Sequence, residues 1–428
     1  MTVHRREFLK RSGVVGAGLA AAGMLPRVGQ TSTASAQESI RLTVWKAPHG
    51  AGDEQFFQEQ FDKFITDWPN VEIEFRSTPW GAWAETYTAA FASDSPPDIS
   101  YMPNAYFPKF AEAGLLVDFD TLETVDLAAW KPLFDERIWS LGTRGGKVYG
   151  LPFLQAGISF VWNKALFAEA GLDPETPPAT WDELRSFAAQ LTKADGTQWG
   201  YGIEDNSTGE MGNYVPVPIV NYGGELTNED DTEWLATTDG HVQGLQIQVD
   251  MILTDKVAPP LGTFAGPEIF TAFADGKIVM ILCYSSNLQQ LLADRPEFQI
   301  GIGMPPAGPA NDYSYGGVGY WMIAEKSAHR DEAAALTEFL SSPDVVNAYM
   351  TLTGLFPART DVQPFADDPV QNAFAATQRN FLRAPSLPFD YFGIILPEYE
   401  SALSGQQSAA DAIAISGEII NERIKDGS

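Results

Sequence analysis

Apolar residues in the first hundred positions of the mature chain alternate between strand spacing and helix spacing. Residues 42–44, 71–75 and 98–101 carry apolar side chains at alternate positions or in short runs, so each is predicted to be a strand. A helix capped by Asp53 is predicted between the first two strands. Its evidence is the helical spacing of four aromatic residues, Phe57, Phe61, Phe64 and Trp68. This strand–helix–strand alternation implies βαβ units and a mostly parallel sheet.

The same alternation resumes after residue 152, which predicts a second α/β lobe. Thr180 and Glu183 have the spacing of a capping box, and Pro305–Pro309 is rich in proline and glycine, as connectors are. Further strands are predicted at 158–162, 277–283 and 316–324, and further helices at 163–170, 241–255, 268–274, 330–340, 344–352 and near the C-terminus. A chain of 428 residues exceeds one ordinary core, so two lobes are expected.

The first 36 residues have the composition of an export signal. Arg5 and Arg6 open a basic segment, a weakly apolar stretch covers residues 13–25, and Ala34-Ser35-Ala36 has the small-residue pattern of a cleavage site. The apolar stretch is shorter than the roughly 20 residues that a membrane span needs. The arginine pair followed by Phe-Leu-Lys is typical of a twin-arginine signal. The sequence therefore predicts a periplasmic protein cleaved near Ala36.

The net charge of the chain argues against some classes of binding partner. The formal charge is −29, and removing five basic residues and one acidic residue with the signal changes it by four, to −33. Such a balance argues against nucleic acid, which requires a basic surface. The acidity is compatible with a cationic solute such as a polyamine, but a solvated acidic surface is the preferred interpretation. The single cysteine, Cys283, lies in an apolar run and is expected to be buried.

The sequence contains no recognisable catalytic or metal-binding constellation. Three histidines of the mature chain, His49, His241 and His329, are scattered, and the motifs of zinc sites, nucleophilic serines and phosphate loops do not occur. No cofactor and no metal are therefore expected. Because acidic residues are abundant, a secreted enzyme that cleaves polysaccharide with a carboxylate pair stays open as an alternative.

Ten short strings, spread in order from about residue 40 to the C-terminus, resemble the extracellular solute-binding proteins of the maltose-binding type, family 1. No single string is specific, and their collinearity carries the resemblance. They are Pro97-Asp98-Ile99, Gly114–Asp118, Lys147–Phe153, Trp162-Asn163-Lys164, Ala170–Pro174, Thr180–Leu184, Phe273–Lys277, Gly316–Gly319, Phe339–Pro343 and Gly354–Arg359.

The resemblance implies a type II periplasmic-binding-protein fold, with two α/β lobes joined by three crossovers around a ligand cleft. The expected N-terminal lobe comprises residues 37–152 and 316–354, and the expected C-terminal lobe comprises residues 153–315 and 355–428. Crossovers are predicted at 151–155, 309–315 and 353–357. The expected function is that of a monomeric ABC-importer subunit, exported by the twin-arginine machinery, which delivers a sugar or sugar derivative to permease subunits after the lobes close.

Candidate ligand contacts are aromatic and amide-bearing residues of loops that follow the predicted strands, where open α/β sheets place ligands. For Tyr284 and Trp321 a core role is weighed equally with a ligand role. For Arg359 a salt bridge that fixes the lobes is weighed equally with a ligand role, and for His49 plain exposure is. The candidates are His49, Trp80, Asn104, Tyr106, Gln155, Asn213, Tyr214, Tyr284, Ser286, Asn287, Tyr320, Trp321, Arg359 and Tyr391.

Overall fold

A computed structural model describes residues 39–205, 211–228, 231–365, 367–378, 385, 387 and 389–427 of the chain. The predicted export signal, residues 1–36, and its cleavage site lie outside the described residues.

The described strands, in chain order, are β1 (Ile40–Lys46), β2 (Val71–Ser77), β3 (Ile99–Pro103), β4 (Thr143–Arg144), β5 (Lys147–Val148), β6 (Gly150–Gly157), β7 (Ser159–Asn163), β8 (Trp199–Gly202), β9 (Ile278–Cys283), β10 (Ile300–Gly303), β11 (Gly316–Ile323) and β12 (Phe356–Pro357). The α-helices are α1 (Asp53–Asp67), α2 (Trp80–Ala92), α3 (Phe107–Glu112), α4 (Leu127–Trp130), α5 (Glu136–Leu141), α6 (Lys164–Glu169), α7 (Trp181–Leu191), α8 (Met211–Tyr214), α9 (Pro216–Gly223), α10 (Asp239–Val249), α11 (Glu268–Ala274), α12 (Ser285–Ala293), α13 (Arg330–Leu340), α14 (Pro343–Thr353), α15 (Pro369–Thr377), α16 (Phe392–Leu403) and α17 (Ala409–Asp426).

Two larger sheets form the centres of two lobes. In the first, the strand order is β12-β6-β11-β3-β1-β2, and in the second it is β10-β7-β9-β8. Strand β1 pairs in parallel with β2 and β3, as the alternation predicts, but β11 is antiparallel to both β3 and β6. The sheets are therefore mixed rather than mostly parallel. The chain leaves the first lobe along β6 and returns along β11, so these neighbouring strands run in opposite directions.

Each lobe has its own apolar core. The first core includes Leu154, Val318 and Leu355, whereas the second includes Ile158 and Tyr315. The change from one core to the other falls within or beside β6 and β11, which identifies these strands as connections between lobes. The lobe limits expected at residues 152, 315 and 354 stay predictions.

Local sequence signals account for several element ends. The predicted capping box is present, since the Glu183 amide donates to Thr180 Oγ1 at 3.2 Å and the Glu183 carboxylate accepts from the Ala179 amide at 2.7 Å. The proline-rich segment 305–309, by contrast, is not a free linker. Ala307 pairs with Thr180, and a Cβ on Gly308 would lie 2.3 Å from the Asn221 carbonyl oxygen, so the segment packs on the second lobe.

Trp321 on β11 lies inside the first core and does not contact solvent. Its ring packs against Phe153 and Phe57, with centroid distances of 5.2 and 5.6 Å. Of the two roles that the sequence weighed equally for Trp321, the structure therefore favours the core role.

Trp321→Ala is expected to lower the free energy of unfolding by about 3–5 kcal/mol, because it leaves a cavity in a closely packed core. Urea denaturation followed by circular dichroism measures the change. Trp80→Ala is the matched control, since Trp80 is only half-buried and should cost much less. Equal costs for the two variants would contradict the placement of Trp321.

Candidate ligand-binding site

A cavity of about 460 Å³ lies between the lobes and receives residues from both. We call it the cleft. The first lobe contributes the loop after β1, the start of α2, the end of β3 and the start of β11, and the second lobe contributes the starts of α12 and α16. The lining residues are Pro48, His49, Gly50, Trp80, Tyr101, Pro103, Asn104, Ala105, Tyr106, Leu154, Ala156, Gly212, Tyr284, Ser286, Asn287, Tyr315, Gly316, Gly317, Val318, Gly319, Leu355 and Phe392.

Aromatic rings from both lobes form the walls of the cleft. Trp80 donates its indole N–H to the Pro48 carbonyl at 2.7 Å, so its polar atom is already paired and the ring can offer its face. Tyr106 of the first lobe approaches Phe392 of the second, with ring centroids 6.5 Å apart. Tyr284 lines the second-lobe side. Aromatic rings from both lobes therefore line one cavity.

Two asparagines place amide groups at the cleft in fixed orientations. Asn104 Oδ1 accepts from the Val318 amide at 2.9 Å, so the side chain must be oriented with its oxygen toward β11. Asn287 Oδ1 accepts from the Tyr284 amide at 2.8 Å and from the Tyr214 hydroxyl at 3.1 Å. Each amide oxygen is thereby used within the protein, and each NH₂ group is the remaining donor that the residue can offer to a ligand.

A run of glycines forms the floor of the cleft. Gly317 and Gly319 pair with Ala156 and Leu154 of β6, so all four positions share the face that lines the cavity. A Cβ on Gly319 would lie 1.9 Å from the Tyr101 hydroxyl oxygen, and a Cβ on Gly317 would lie 3.2 Å from Asn104 Oδ1. Glycine at these positions therefore leaves room for Tyr101 and Asn104, and for a ligand above the floor.

A buried ion pair lies beside this floor. Lys46 and Asp53 are both buried, and Lys46 Nζ lies 2.9 Å from Asp53 Oδ1. Burial lowers the pKa of Lys46 from 10.5 to about 8, although the Asp53 carboxylate acts in the opposite direction. The desolvation of the ammonium group therefore outweighs its attraction to Asp53.

His49 connects this ion pair with the cleft. Its Nδ1 lies 2.9 Å from Lys46 Nζ. Burial, and secondarily the Lys46 charge, lower the pKa of His49 well below 6.5, so the imidazole is neutral at physiological pH.

Among the described residues that line the cleft, none is Asp, Glu, Lys or Arg. The polar lining consists instead of amides, a serine, tyrosines, a neutral imidazole and backbone groups. Within the described part of the chain, no group of three or more His, Cys, Asp or Glu side chains could hold a metal ion.

The sequence of residues 50–347 matches the family model of bacterial extracellular solute-binding proteins. The chain belongs to this family. A Brucella abortus protein whose name describes a binding protein of unstated ligand is 25% identical to this solute-binding protein over 92% of each chain. The sn-glycerol-3-phosphate-binding periplasmic protein UgpB of Pectobacterium atrosepticum is 26% identical over 58% of this chain and 57% of its own.

Solved structures share the fold of this solute-binding protein. Maltose-bound MalE3 of T. maritima superposes with a TM-score of 0.78 and 20% identity, covering 90% of this chain and 99% of its own. The GacH receptor of Streptomyces glaucescens also gives 0.78, at 21% identity, covering 91% and 100%. At these identities the likeness establishes the two-lobed periplasmic-binding-protein fold. It confirms the fold class that the sequence predicts.

Family membership makes this an exported solute-binding protein of an ABC transporter, whose partners are a small-molecule ligand and membrane permease subunits. None of the helices in the described ranges is long and apolar enough to cross a membrane.

The structure brings half of the candidate contacts of this solute-binding protein together in the cleft. Tyr214 lies just behind them and donates to Asn287. Asn213 lies on α8, but its side chain is outside the described residues. The seven candidates that line the cleft are His49, Trp80, Asn104, Tyr106, Tyr284, Ser286 and Asn287.

Five other candidates are not placed in the cleft, because their side chains are directed elsewhere. Tyr320, like Trp321, is fully buried in the first core, where its hydroxyl donates to the Ile138 carbonyl at 2.5 Å. Tyr391 is buried in the second core and stacks on Phe392 at 4.4 Å. Gln155 points from β6 to the opposite face of the sheet, where its amide donates to the Pro357 carbonyl at 3.1 Å.

Arg359 forms a structural ion pair instead of a ligand contact. Its guanidinium is almost fully buried and binds both carboxylate oxygens of Asp361, at 2.9 and 2.8 Å, and the Ser341 carbonyl at 2.9 Å. The hydrogen bonds from Arg359 lower the pKa of Asp361. The structure places Arg359 in a salt bridge, but its partner lies only two residues away, so this pair is local and is not the lobe-fixing bridge that the sequence left open.

Three rings of the cleft, Tyr101, Tyr315 and Phe392, were not among the candidates from the sequence. Tyr101 ends a predicted strand, and Tyr315 directly precedes the glycine run, so proximity to a strand end was an available signal for both. Phe392 was one residue away from a candidate, and the choice between it and Tyr391 depends on how α16 is rotated, which no local pattern gives.

Removing one member of the buried Lys46–Asp53 pair is expected to cost more than removing both. Lys46→Met should lower the free energy of unfolding by about 3–5 kcal/mol, because it leaves a buried carboxylate unpaired, whereas Lys46→Met/Asp53→Leu should be less destabilised than either single variant. Urea titrations of the double-mutant cycle measure the coupling.

The exposed pair Arg41–Glu74 provides the control, and the same cycle there should give a coupling of no more than about 1 kcal/mol. Additive losses at Lys46 and Asp53 would show that the two charges do not compensate each other.

Proposed function

We propose that this solute-binding protein captures a neutral carbohydrate, either a sugar, an oligosaccharide or an uncharged sugar derivative, in the cleft and delivers it to the permease of an ABC importer. The observation that carries the proposal is the combination of aromatic rings from both lobes and oriented amide groups in a cavity whose described lining has no charged side chain.

A sugar has the surface that this lining complements. Its C–H faces pack on aromatic rings such as Trp80 and Tyr106, and its hydroxyl groups exchange hydrogen bonds with amides such as those of Asn104 and Asn287. Buried polar groups need partners, so amide donors in the lining of the cleft favour a ligand with many oxygen atoms.

The charge of the lining argues against a cationic ligand and against an anionic one. A polyamine would require carboxylates in the cleft, and the described lining contains none although the whole chain is strongly acidic. The same reasoning applies to an anionic ligand such as the glycerol phosphate named for the Pectobacterium relative, because neither Lys nor Arg lines the cleft where the structure describes it. The acidic surface then serves solubility.

Binding without turnover is the preferred role. Hydrolysis of a glycosidic bond by the usual route requires two carboxyl groups that flank the bond. The described lining of the cleft has no carboxyl group. The secreted polysaccharide-cleaving enzyme is therefore the less favoured alternative.

Known ligands of proteins with the same fold point in the same direction. Solved neighbours carry maltose, acarbose and α-D-tagatose according to their names.

We infer that the lobes close around such a ligand by bending at β6 and β11, and that closure is driven by contacts that exist only when both lobes touch the ligand. Export through the twin-arginine machinery, cleavage near Ala36 and a monomeric state belong to the same proposal.

A neutral sugar is expected to raise the melting temperature of the purified protein by mass action. The panel consists of D-tagatose, maltose, mannobiose, acarbose and cycloalternan, with spermidine and sn-glycerol 3-phosphate as charged comparisons. Differential scanning fluorimetry measures the shift, and calorimetry confirms each positive result. A response to spermidine or to glycerol phosphate, with every sugar inert, would refute the neutral-carbohydrate assignment.

Trp80→Ala is expected to weaken binding of the most effective panel sugar by about tenfold or more, because a stacking face worth about 1.5 kcal/mol is lost. The fold should be retained, as judged by circular dichroism. Trp45→Ala is the matched control, since Trp45 lies on β1, packs on Tyr87 and does not line the cleft. Unchanged affinity in Trp80→Ala would remove this ring from the binding surface.

A further inference from the structure

A buried polar cluster lies beside the floor of the cleft and contacts it through one residue. Lys46 comes from the end of β1, Asp53 from the start of α1 and Tyr349 from α14. Lys46 Nζ donates to the Ala47 carbonyl at 2.7 Å and to the two Asp53 oxygens at 2.9 and 3.1 Å, and the Tyr349 hydroxyl donates to Asp53 Oδ1. The aromatic rings around Lys46 leave it no access to solvent.

The contact of His49 with this cluster determines which ring nitrogen carries the proton. Its Nδ1 lies 2.9 Å from Lys46 Nζ and 3.0 Å from the Tyr349 hydroxyl oxygen. A lysine ammonium has three donors and no acceptor, so one donor serves the Ala47 carbonyl, one is shared by the two Asp53 oxygens, and the third is left for His49 Nδ1. Nδ1 must therefore accept, and in the neutral ring the proton resides on Nε2.

The position of the ring is fixed as well as its tautomer. The His49 backbone amide donates to Asp53 Oδ1 at 3.3 Å, and the ring meets Tyr101 and Trp80 edge to face, with centroid distances of 5.1 and 5.4 Å. A ring turned over would present a C–H group to the ammonium and lose the hydrogen bond. His49 lines the cleft, so its Nε2–H is the donor that it can offer there.

We propose that Lys46, held in place by Asp53, is a positioning residue that fixes His49 as the neutral Nε2–H tautomer, and that His49 thereby selects ligands with an oxygen acceptor at this point of the cleft. The inference rests on the proposed capture of a neutral sugar, and it makes His49 a specificity-determining residue. A sugar hydroxyl or ring oxygen accepts from a neutral imidazole, whereas a deoxy sugar would leave the donor unpaired.

The first test concerns the tautomer and needs no ligand. Protein labelled with ¹⁵N in the imidazole rings is observed by NMR at pH 6 and pH 7.5, and His49→Gln identifies the His49 signals among those of the three histidines of the mature chain. At both pH values we expect one unprotonated Nδ1 and one protonated Nε2. A protonated Nδ1, an even mixture of tautomers or a doubly protonated ring at pH 6 would overturn the proposal.

The second test concerns Lys46. In Lys46→Met the cation is gone and Asp53 stays, so His49 should become protonated or should mix tautomers at pH 6. Lys63→Met, an exposed change on α1, should leave the His49 signals as they are in the wild type. Unchanged signals in a folded Lys46→Met would refute the positioning role. If this variant does not fold, the wild-type spectrum still decides the tautomer.

The third test concerns the ligand and uses the panel sugar that gives the largest thermal shift. His49→Leu should weaken its affinity about three- to tenfold, as expected for loss of one neutral hydrogen bond, and His49→Gln should recover part of the loss because its amide is again a donor. Equal affinities for wild type and His49→Leu would overturn the selecting role of His49. If no panel sugar binds, the proposed function fails, whereas the NMR result still decides the tautomer.

Discussion

The antiparallel ladder between β6 and β11 is the constraint on which the other features depend. These strands carry the chain out of the first lobe and back. Their ladder therefore pairs the two connections between the lobes, and residues of the same ladder form the floor of the cleft. Because Gly317 and Gly319 have no side chains, the ladder approaches Tyr101 and Asn104 closely. A substitution at Gly319 would meet the Tyr101 ring before it met any ligand.

This geometry separates two roles along a single strand. The glycine end of β11 lines the cleft, whereas Tyr320 and Trp321, only a few residues further, are enclosed by the first core. Aromatic rings near a ligand site are therefore of two kinds here. Trp80 and Tyr106 present surface to the cavity, and Trp321 stabilises the sheet that carries the cavity floor.

The first lobe buries a charged pair next to a cleft whose described lining is uncharged. A chain with a strongly negative charge places none of its charged side chains among the described lining residues, yet it buries Lys46 and Asp53 close by. Burial of an ion pair is weak evidence for stability, because desolvation costs about as much as the attraction returns. In this protein we assign the buried ion pair a different role, which is to orient His49. The oriented His49 ring then offers a neutral N–H donor to the ligand.

The sequence by itself determined many of the elements, the two-lobed class and the solute-binding family, because apolar spacing, capping residues and collinear strings are local properties of the chain. It also identified seven lining residues, since loops after strands converge at one edge of an α/β sheet. Only the tertiary structure decided between Phe392 and Tyr391, buried Trp321, and paired Arg359 with Asp361. It also gave Asp53 a role as counter-ion of Lys46 rather than as a helix cap. Those outcomes depend on which side chains from distant segments come into contact. These contacts determine burial and charge pairing, and the sequence around each residue does not specify them.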